Sequence, residues 1–248
     1  MDLKLAGKRA AVAAASKGLG FGAAAALAAE GVTVAMCGRD EGRITEAAAR
    51  VGRNAIPLIA DVSRPDGADA FIAAATDALG GVDILVTNAG GPTPGTFATT
   101  PTDSYPDALD LNLISVVAMC KAAVPAMQKQ AWGRVVAITS ISVRQPLPHL
   151  ILSNTARAGA TAFLKTLATE VAPDGVTVNS VQPGLHATER LTQLYGGDMD
   201  AAAKSVPARK LGDAADFGSI VAFLCSDAAK FITGTAIPVD GGSAGGLQ

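Results

Sequence analysis

The sequence predicts an α/β protein built on one doubly wound parallel sheet of about seven strands, with helices on both faces. Short apolar runs alternate with longer alanine-rich stretches of helical period from end to end. Most of the short runs are continuously apolar, as expected when helices cover both faces of a parallel strand. No proline-rich linker, repeat or low-complexity tract divides the 248 residues, so we expect a single domain over residues 1–248.

The predicted elements follow one another in the order βαβα. The strands are residues 9–14, 32–37, 55–59, 82–87, 134–139, 177–181 and 236–239. The main helices are residues 19–29, 41–52, 65–79, 102–130, 154–172 and 213–226. Residues 185–211 have the least regular pattern, with Gly196-Gly197 and several polar side chains, so we expect a mobile lid over a pocket there.

Composition limits the possible partners and location. Twenty basic residues face 22 acidic ones without blocks of charge, which gives no stripe for binding nucleic acid. No apolar run approaches the roughly 18 residues that a membrane span needs. The first apolar run, residues 10–15, is too short for a signal-peptide core. We therefore expect a cytoplasmic protein that contacts neither nucleic acid nor membrane.

The cysteines indicate a reducing compartment. Cys37, Cys120 and Cys225 are odd in number, far apart and embedded in apolar segments. Buried thiols fit this pattern better than a disulfide framework or a metal site. We expect no metal.

A glycine-rich turn follows the first strand. Residues 13–22 read Ala-Ala-Ala-Ser-Lys-Gly-Leu-Gly-Phe-Gly and lead into the first helix. Gly18 and Gly20 allow the backbone to approach a pyrophosphate, toward which the helix directs its free amides. A position between strand and helix is the context that such a motif requires, although a tight turn with positive φ is the alternative. The predicted cofactor-binding residues are Ala14, Ser16, Lys17, Gly18, Leu19 and Gly20.

This turn resembles that of the short-chain dehydrogenase/reductase family, which has a Rossmann-type fold and the pattern Thr-Gly-x-x-x-Gly-x-Gly. Ala13 and Ala14 replace the threonine and the first glycine, whereas Gly18 and Gly20 match. Other family motifs follow in order along nearly the whole chain, most similar to the classical 3-oxoacyl-carrier-protein reductases. They are Asp61-Val62, Thr87-Asn88-Ala89-Gly90, Asn112, Pro183-Gly184 with Thr188, and residues 231–242.

The resemblance implies further cofactor contacts. Asp61 and Val62 correspond to the pair that meets the adenine ring. Pro183, Gly184 and Thr188 correspond to the segment near nicotinamide. The remaining implied cofactor-binding residues, in the loop after the fourth strand, are Asn88, Ala89 and Gly90.

The tip of the second strand indicates which nicotinamide cofactor binds. An acidic side chain there would accept a hydrogen bond from the adenosine ribose, whereas a basic one would pair with a 2'-phosphate. The chain has Arg39 at this tip, with no carboxylate until Asp40, and Lys17 adds a second positive charge. We therefore predict NADP(H), the alternative being that both cations are solvated surface charges.

The resemblance breaks in the catalytic segment. Family members carry a serine after the fifth strand, a tyrosine thirteen residues later and a lysine four residues further on. Ser140 matches the serine that polarises the carbonyl, and Asn112 matches the asparagine that supports a water chain. Ser153 and Arg157 stand where the tyrosine and lysine are expected. No change of register restores a tyrosine, because the chain has none between residues 105 and 195.

The substitutions preserve some roles and weaken others. Ser153 and Arg157 are one helical turn apart, so both can face the same pocket. Arg157 can hold ribose hydroxyls but is effectively always protonated. Ser153 can donate a hydrogen bond, but a hydroxyl is a weaker acid than a phenol. The predicted catalytic residues are Asn112, Ser140, Ser153 and Arg157, with Arg157 also contacting the cofactor.

Three sources of the proton remain open. Ser140 and Ser153 can form a two-donor oxyanion site, with solvent supplying the proton. His149 can turn into the pocket from its loop. Tyr195 or His186 can reach in from the lid region. For His149, His186 and Tyr195 the alternative is a packed or exposed loop position, and Ser142 is interpreted as structural.

Two functions fit these residues. The first is an NADP(H)-dependent oxidoreductase that moves hydride between nicotinamide and a carbonyl/alcohol pair (EC 1.1.1), with an atypical active site. The alternative is a nucleotide-binding protein with little or no reductase activity, acting as a sensor or oligomeric partner. The resemblance also implies a homotetramer or homodimer formed through helices 102–130 and 154–172 and the last strand. Residues 91–101 and the lid would shape the substrate pocket, but they carry no recognisable code.

Overall fold

The computed structural model describes residues 2–194 and 196–246 and contains one sheet of seven parallel strands in the order β3-β2-β1-β4-β5-β6-β7. The strands are β1 (Arg9–Val12), β2 (Thr33–Gly38), β3 (Ala55–Ile59), β4 (Ile84–Thr87), β5 (Gly133–Ile138), β6 (Val176–Pro183) and β7 (Ala236–Val239). The chain runs outward from β1 to β3 and then returns to build the other half from β4 to β7. This reversal confirms the predicted doubly wound, Rossmann-type sheet and leaves a crevice beyond the carboxyl ends of β1 and β4.

Nine α-helices connect the strands within the described residues. They are α1 (Gly18–Ala29), α2 (Glu41–Val51), α3 (Pro65–Leu79), α4 (Tyr105–Leu109), α5 (Ser115–Lys129), α6 (Ile151–Val171), α7 (Glu189–Leu194), α8 (Met199–Ser205) and α9 (Ala214–Cys225). Most predicted boundaries of strands and helices differ from the observed ones by one to three residues. The ends of these elements depend on local capping, which the spacing of apolar residues does not reveal.

Two apolar layers cover the sheet. Helices α1, α2 and α9 bury side chains such as Leu27, Ile44 and Phe217 against one face. Helices α3, α5 and α6 bury Phe71 and Met119, among others, against the opposite face. The central strands are sealed on both sides, which confirms the interpretation of their continuous apolar runs.

The predicted single helix over residues 102–130 is wrong. A 3₁₀ turn (Thr102–Ser104) leads into α4, and a π-helical turn (Asp110–Ile114) separates α4 from α5. A π turn inserts one residue into a helix without changing its apolar pattern, so periodicity cannot reveal it. Among the described residues, Thr102–Lys129 is also the one helical segment that is long and apolar enough to cross a membrane. Half of its most apolar 18-residue stretch is buried inside the fold.

The expected irregular lid contains two short helices, α7 and α8. Asp198 caps α8 by accepting a hydrogen bond from the backbone of Ala201 at 2.9 Å. The segment is anchored at its base, where Ala187 donates to the carbonyl of Gly212 at 2.9 Å. The described part of this segment therefore contains regular structure, and its mobility stays a prediction.

The three cysteines are free thiols within the core. Cys37, Cys120 and Cys225 are all buried. Burial raises the pKa of each thiol to about 12. The prediction of buried, unpaired cysteines is confirmed.

Candidate active site

The predicted site residues meet at the carboxyl edge of the sheet. They lie on the turn after β1, the tip of β2 and the loops or turns that follow β3, β4, β5 and β6. Helix α6 adds its first turns to the same edge, where it packs on the 3₁₀ turn after β5. One crevice therefore brings together residues as far apart in the sequence as Ala14 and Thr188.

The glycine turn and the segment after β6 are in contact. Gly18 has a φ of +61°, and a Cβ at this position would lie 3.6 Å from the Thr188 methyl group. A Cβ on Gly20 would lie 2.5 Å from the carbonyl oxygen of Ala14 and 2.7 Å from Nδ2 of Asn88. Asn88 donates to that same carbonyl at 3.1 Å. Close backbone approach thus explains the glycine at position 20, and the turn is locked to the loop after β4.

The two cations predicted to recognise a 2'-phosphate lie on adjacent turns. Gly38, at the tip of β2, is so close to Ser16 that a Cβ there would lie 3.3 Å from the serine Cβ. Arg39 is exposed and has no hydrogen-bond partner in the described parts of the chain. Lys17 is paired with Glu189 on the first turn of α7. Both side chains are largely exposed, so this ion pair joins the start of α7 to the glycine turn only weakly.

Asp61 and Val62, the two residues predicted to meet the adenine ring, differ in their burial. Asp61 is exposed, and its Oδ1 accepts a hydrogen bond from the Ser63 backbone at 3.0 Å. Val62 is buried with the apolar layer that contains Phe71. Asp61 is therefore open to solvent at the end of β3, whereas Val62 belongs to the apolar layer beneath it.

Asn112 joins the interrupted helix to the loop after β4. It is 2% exposed, and its Nδ2 donates to the carbonyl oxygen of Gly90 at 2.9 Å. Its Oδ1 is buried without a protein donor within the described residues. Because a buried polar acceptor normally finds a donor, Oδ1 is available to a bound water or ligand group.

Ser140 is oriented by the backbone that follows it. Its Oγ accepts a hydrogen bond from the Ser142 amide at 3.1 Å and caps the 3₁₀ turn Ile141–Val143. This contact occupies one lone pair and leaves the hydroxyl proton free to donate. Ser142 is buried and holds Ser140 through its backbone, in agreement with the structural interpretation.

Ser153 and Arg157 lie one turn apart near the start of α6. Ser153 is 7% exposed and makes no side-chain hydrogen bond with other described residues. Arg157 is 9% exposed, and its Nη1 donates to the carbonyl oxygens of Ile138 at 3.1 Å and Thr139 at 3.2 Å. Burial, followed by the positive charge of Arg190, lowers the pKa of Arg157 to about 10. Nη1 of Arg157 is thus bonded to the carbonyl oxygens at the end of β5, and the other N–H groups of the guanidinium are available to a ligand.

Sequence reasoning missed two charged residues, Glu189 and Arg190. Nη2 of Arg190 donates to the carbonyl oxygen of Pro92 at 2.9 Å, so α7 is tied to the loop after β4. A Cβ on Gly91 would lie 3.0 Å from the same nitrogen. Their place in the sequence could have identified them, because Glu189 and Arg190 directly follow Thr188, the last residue of the matched Pro-Gly-x-x-x-Thr motif.

The candidate histidines are not placed as proton donors. His186 is 5% exposed, its Nδ1 lies 3.2 Å from the carbonyl oxygen of Gly184, and its ring meets Phe217 edge-on at 5.2 Å. Burial lowers the pKa of this imidazole. His149 is exposed on its loop. Both histidines therefore take the packing or surface position weighed as the alternative, and Tyr195 lies outside the described residues.

Comparison with known proteins decides the family. A sequence profile described as enoyl-(acyl carrier protein) reductase matches residues 13–244. The chain belongs to the short-chain dehydrogenase/reductase family. It is 35% identical over 240 residues to the 3-oxoacyl-(acyl-carrier-protein) reductase FabG of Vibrio cholerae, covering 97% of this chain and 98% of the relative. It is 33% identical over 245 residues to human dehydrogenase/reductase SDR family member 4, covering 96% and 88% of the two chains.

Solved structures of this family agree with the fold. L-sorbose reductase from Gluconobacter frateurii, in complex with NADPH and L-sorbose, superposes with a TM-score of 0.92 at 31% identity over 100% of both chains. A short-chain alcohol dehydrogenase from Sinorhizobium meliloti has the same TM-score and identity. The predicted fold and family are confirmed, and the NADP(H) prediction agrees with the cofactor bound to L-sorbose reductase. The presence of Ser153 and Arg157 at the family's tyrosine and lysine positions stays a prediction from the sequence.

Proposed function

We propose that the protein is an NADP(H)-dependent oxidoreductase that transfers hydride between nicotinamide and a carbonyl/alcohol substrate without the family tyrosine and lysine. The observation that carries this proposal is the free hydroxyl donor of Ser140 beside a crevice that Arg157 also faces. The nicotinamide cofactor supplies the hydride chemistry, and the protein positions it and stabilises charge. The substrate is a small molecule, and the NADP-binding domain comprises residues 1–248.

Cofactor binding is assigned to the edges of the crevice. The glycine turn directs the amides at the start of α1 toward the pyrophosphate. Lys17 and Arg39 recognise the 2'-phosphate, with Glu189 releasing Lys17 when the phosphate binds. The remaining assigned contacts are Ala14, Ser16, Gly18, Leu19, Gly20, Asp61, Val62, Asn88, Ala89, Gly90, Arg157, Pro183, Gly184 and Thr188.

The carbonyl oxygen is polarised by hydroxyl donors and a cation. Ser140 and Ser153 donate hydrogen bonds to the oxygen, and Arg157 opposes the negative charge that develops on it. Solvent delivers the proton through waters, one of which is held by donating a hydrogen bond to the otherwise unpartnered Oδ1 of Asn112. This arrangement replaces a strong local acid with electrostatic stabilisation.

Titration of the two cofactors tests the nucleotide site. We expect NADPH to bind at least about tenfold more tightly than NADH, because each cation adds a charge-assisted contact to the phosphate. Lys17→Gln and Arg39→Gln should each weaken NADPH binding while leaving NADH binding unchanged. Equal dissociation constants for NADPH and NADH would refute the assignment.

Turnover measurements test the catalytic assignment. With a panel of ketones, aldehydes and alcohols, NADPH absorbance should report turnover of at least one class. Ser140→Ala and Ser153→Ala should each lower kcat about 10²-fold, as is typical for removal of an oxyanion donor. Full turnover by both variants with unchanged cofactor binding would eliminate the two-donor site.

The second candidate function is nucleotide binding with little or no reductase activity. The observation that favours it is that hydrogen bonds hold Arg157 to the end of β5. Its tie to the Ile138 and Thr139 carbonyls limits its reach, and Ser153 is a weak acid. Tight NADPH binding with no turnover across the panel would support this sensor or partner role. A gain of reductase activity in the double variant Ser153→Tyr with Arg157→Lys would show that the other site residues are competent.

The proposed assembly is a homotetramer or homodimer in the cytoplasm. Phe231 is fully exposed a few residues before β7, which is an edge strand of the sheet. On α6, Ala158 and Ala162 are also exposed, and such small residues permit close contact between helices. Light scattering on a sizing column should give a multiple of 24.7 kDa, and a strict monomer would contradict the proposal.

A further inference from the structure

Two arginines lie against the end of β5 and the loop after β4 without a carboxylate partner in the described part of the chain. Arg157 is 9% exposed and bonds only to backbone carbonyls among the described residues. Arg190 is half-buried on α7 and bonds to the Pro92 carbonyl. Neither arginine lies within salt-bridge distance of a carboxylate in the described part of the chain. The two positive charges also act on each other, since Arg190 contributes to the lowered pKa of Arg157.

The nearby acidic residues are engaged elsewhere. Glu189, adjacent to Arg190, pairs with Lys17 across the lid. Asp110, at the start of the π turn, pairs with Arg64 outside the crevice. The crevice therefore holds an excess of positive charge on its substrate side. Burying a cation without an opposite charge is costly, so such an arrangement favours an anionic ligand.

The geometry points to a substrate that carries a carboxylate near its reacting carbonyl, with Arg190 as the residue that binds this carboxylate and selects for it. We infer this on the basis of the proposed reductase function, whose substrate class it narrows to oxo acids and the corresponding hydroxy acids. In the reductive direction the carbonyl carbon gains hydride and the carbonyl oxygen gains a proton. The carboxylate is unchanged and serves only for binding.

Position distinguishes this role from binding of the cofactor phosphates. Arg190 lies against Gly91 and Pro92, beyond the Asn-Ala-Gly motif of the loop after β4. Lys17 and Arg39 instead lie on the glycine turn and at the tip of β2, the two positions predicted to meet the adenosine ribose. Arg190 also lies close enough to Arg157 for its charge to act on that residue, and its guanidinium fork can bind a carboxylate in a bidentate manner.

Matched pairs of small ligands test the inference without turnover. Pyruvate and butane-2,3-dione differ mainly in the exchange of a carboxylate for an acetyl group, as do acetoacetate and pentane-2,4-dione. Each is titrated calorimetrically into the protein saturated with NADP⁺, which cannot donate hydride to a ketone. We expect the acid of at least one pair to bind about tenfold more tightly than its neutral analogue, as a charge-assisted contact predicts.

Variants at position 190 identify the residue responsible. Arg190→Gln should remove the preference for the acid, and Arg190→Lys should retain part of it. Lys204→Gln, which removes an exposed charge from α8 in the same lid, is the matched control and should leave the preference unchanged. NADP⁺ affinity is measured for all three variants.

The outcomes separate this inference from the proposed reaction. Equal affinities within both pairs, or no binding of either acid, would overturn it. An equal loss of NADP⁺ affinity and acid binding in Arg190→Gln would assign the arginine to the cofactor and also overturn it. Selective acid binding in a protein that shows no turnover would confirm the anion site while refuting the reductase function.

Discussion

Arg157 donates a hydrogen bond from Nη1 to the carbonyl oxygen of Ile138, 3.1 Å away, at the end of β5. The guanidinium predicted to stand at the position of the family lysine is therefore anchored to the sheet. Its positive charge is almost fully enclosed and has no carboxylate partner within the described residues. Such a charge destabilises the ligand-free fold.

Removal of this charge should stabilise the protein. The lowered pKa of Arg157, about 10, means that the folded state binds this proton more weakly than the unfolded state does. The charged group therefore costs stability at neutral pH, by up to about 3 kcal/mol. Arg157→Met also loses two hydrogen bonds worth about 1 kcal/mol each. We expect a net gain of about 1 kcal/mol in the free energy of unfolding by urea, together with weaker NADPH binding.

The control for this experiment is Arg53→Met, at an exposed arginine just before β3. Its free energy of unfolding should change by less than about 0.5 kcal/mol. A loss of more than 2 kcal/mol in Arg157→Met would instead show that the bonds to β5 outweigh the cost of burying the charge.

Ala14→Gly should stabilise the glycine turn. Ala14 has a φ of +47°, a left-handed conformation that side chains with a Cβ rarely adopt. Glycine removes this strain, and we expect thermal or urea unfolding to show a gain of about 1 kcal/mol. The matched control is Ala13→Gly, at a fully buried neighbour whose φ is not positive, where stability should fall by about 1 kcal/mol. Destabilisation of both variants would contradict the strain argument.

The sequence was sufficient to predict the sheet and the cofactor loops because both depend on local patterns. Apolar runs mark strands buried on two faces, and the glycines at 18 and 20 are required by positive φ and close approach. The family resemblance then supplied the order of the remaining loops. The absence of a tyrosine between residues 105 and 195 was likewise visible from the sequence alone.

Contacts between loops that are distant in the sequence could not be predicted from local sequence patterns. The pairing of Lys17 with Glu189 joins residues that are 172 positions apart, and that of Arg190 with Pro92 spans 98 positions. Both depend on where the lid folds back over the crevice, which no local pattern specifies. The π turn around Asn112 was missed for a different reason, since it leaves the apolar period of the surrounding helices intact.

The ion pair between Arg9 and Asp83 should make stability depend on acidic pH. Burial raises the pKa of Asp83, but hydrogen bonds from Arg9 and Gln130 and the charge of Arg9 outweigh it, so the pKa is lowered overall. The carboxylate therefore stabilises the fold above the pKa of the unfolded chain, near 4, and this contribution is lost as the pH falls further. Asp83→Asn should cost about 2 kcal/mol at pH 7, measured by urea unfolding.

The difference between wild type and Asp83→Asn should begin to shrink as the pH falls below about 4, where the unfolded chain takes up a proton that the folded carboxylate still resists. It should vanish once the pH is also below the lowered pKa of the folded state, where both proteins carry a neutral side chain. Asp107→Asn is the matched control, because Asp107 pairs with Arg64 at a position where its side chain is 77% exposed. An exposed pair of this kind contributes less than about 1 kcal/mol. A difference for Asp83→Asn that stays constant with pH would refute the role of its charge.

Gly20→Ala should damage the cofactor site. The new Cβ would lie 2.5 Å from the Ala14 carbonyl oxygen and 2.7 Å from Nδ2 of Asn88, so the turn or the Asn88 bond must shift. We expect a loss of about 1–3 kcal/mol in stability and at least about tenfold weaker NADPH binding, measured by urea unfolding and fluorescence titration. Gly42→Ala, at an exposed helical position where the nearest atom would be 3.5 Å away, should instead add up to about 1 kcal/mol without changing NADPH affinity. Unchanged NADPH affinity in Gly20→Ala would contradict the proposal that this turn binds the cofactor.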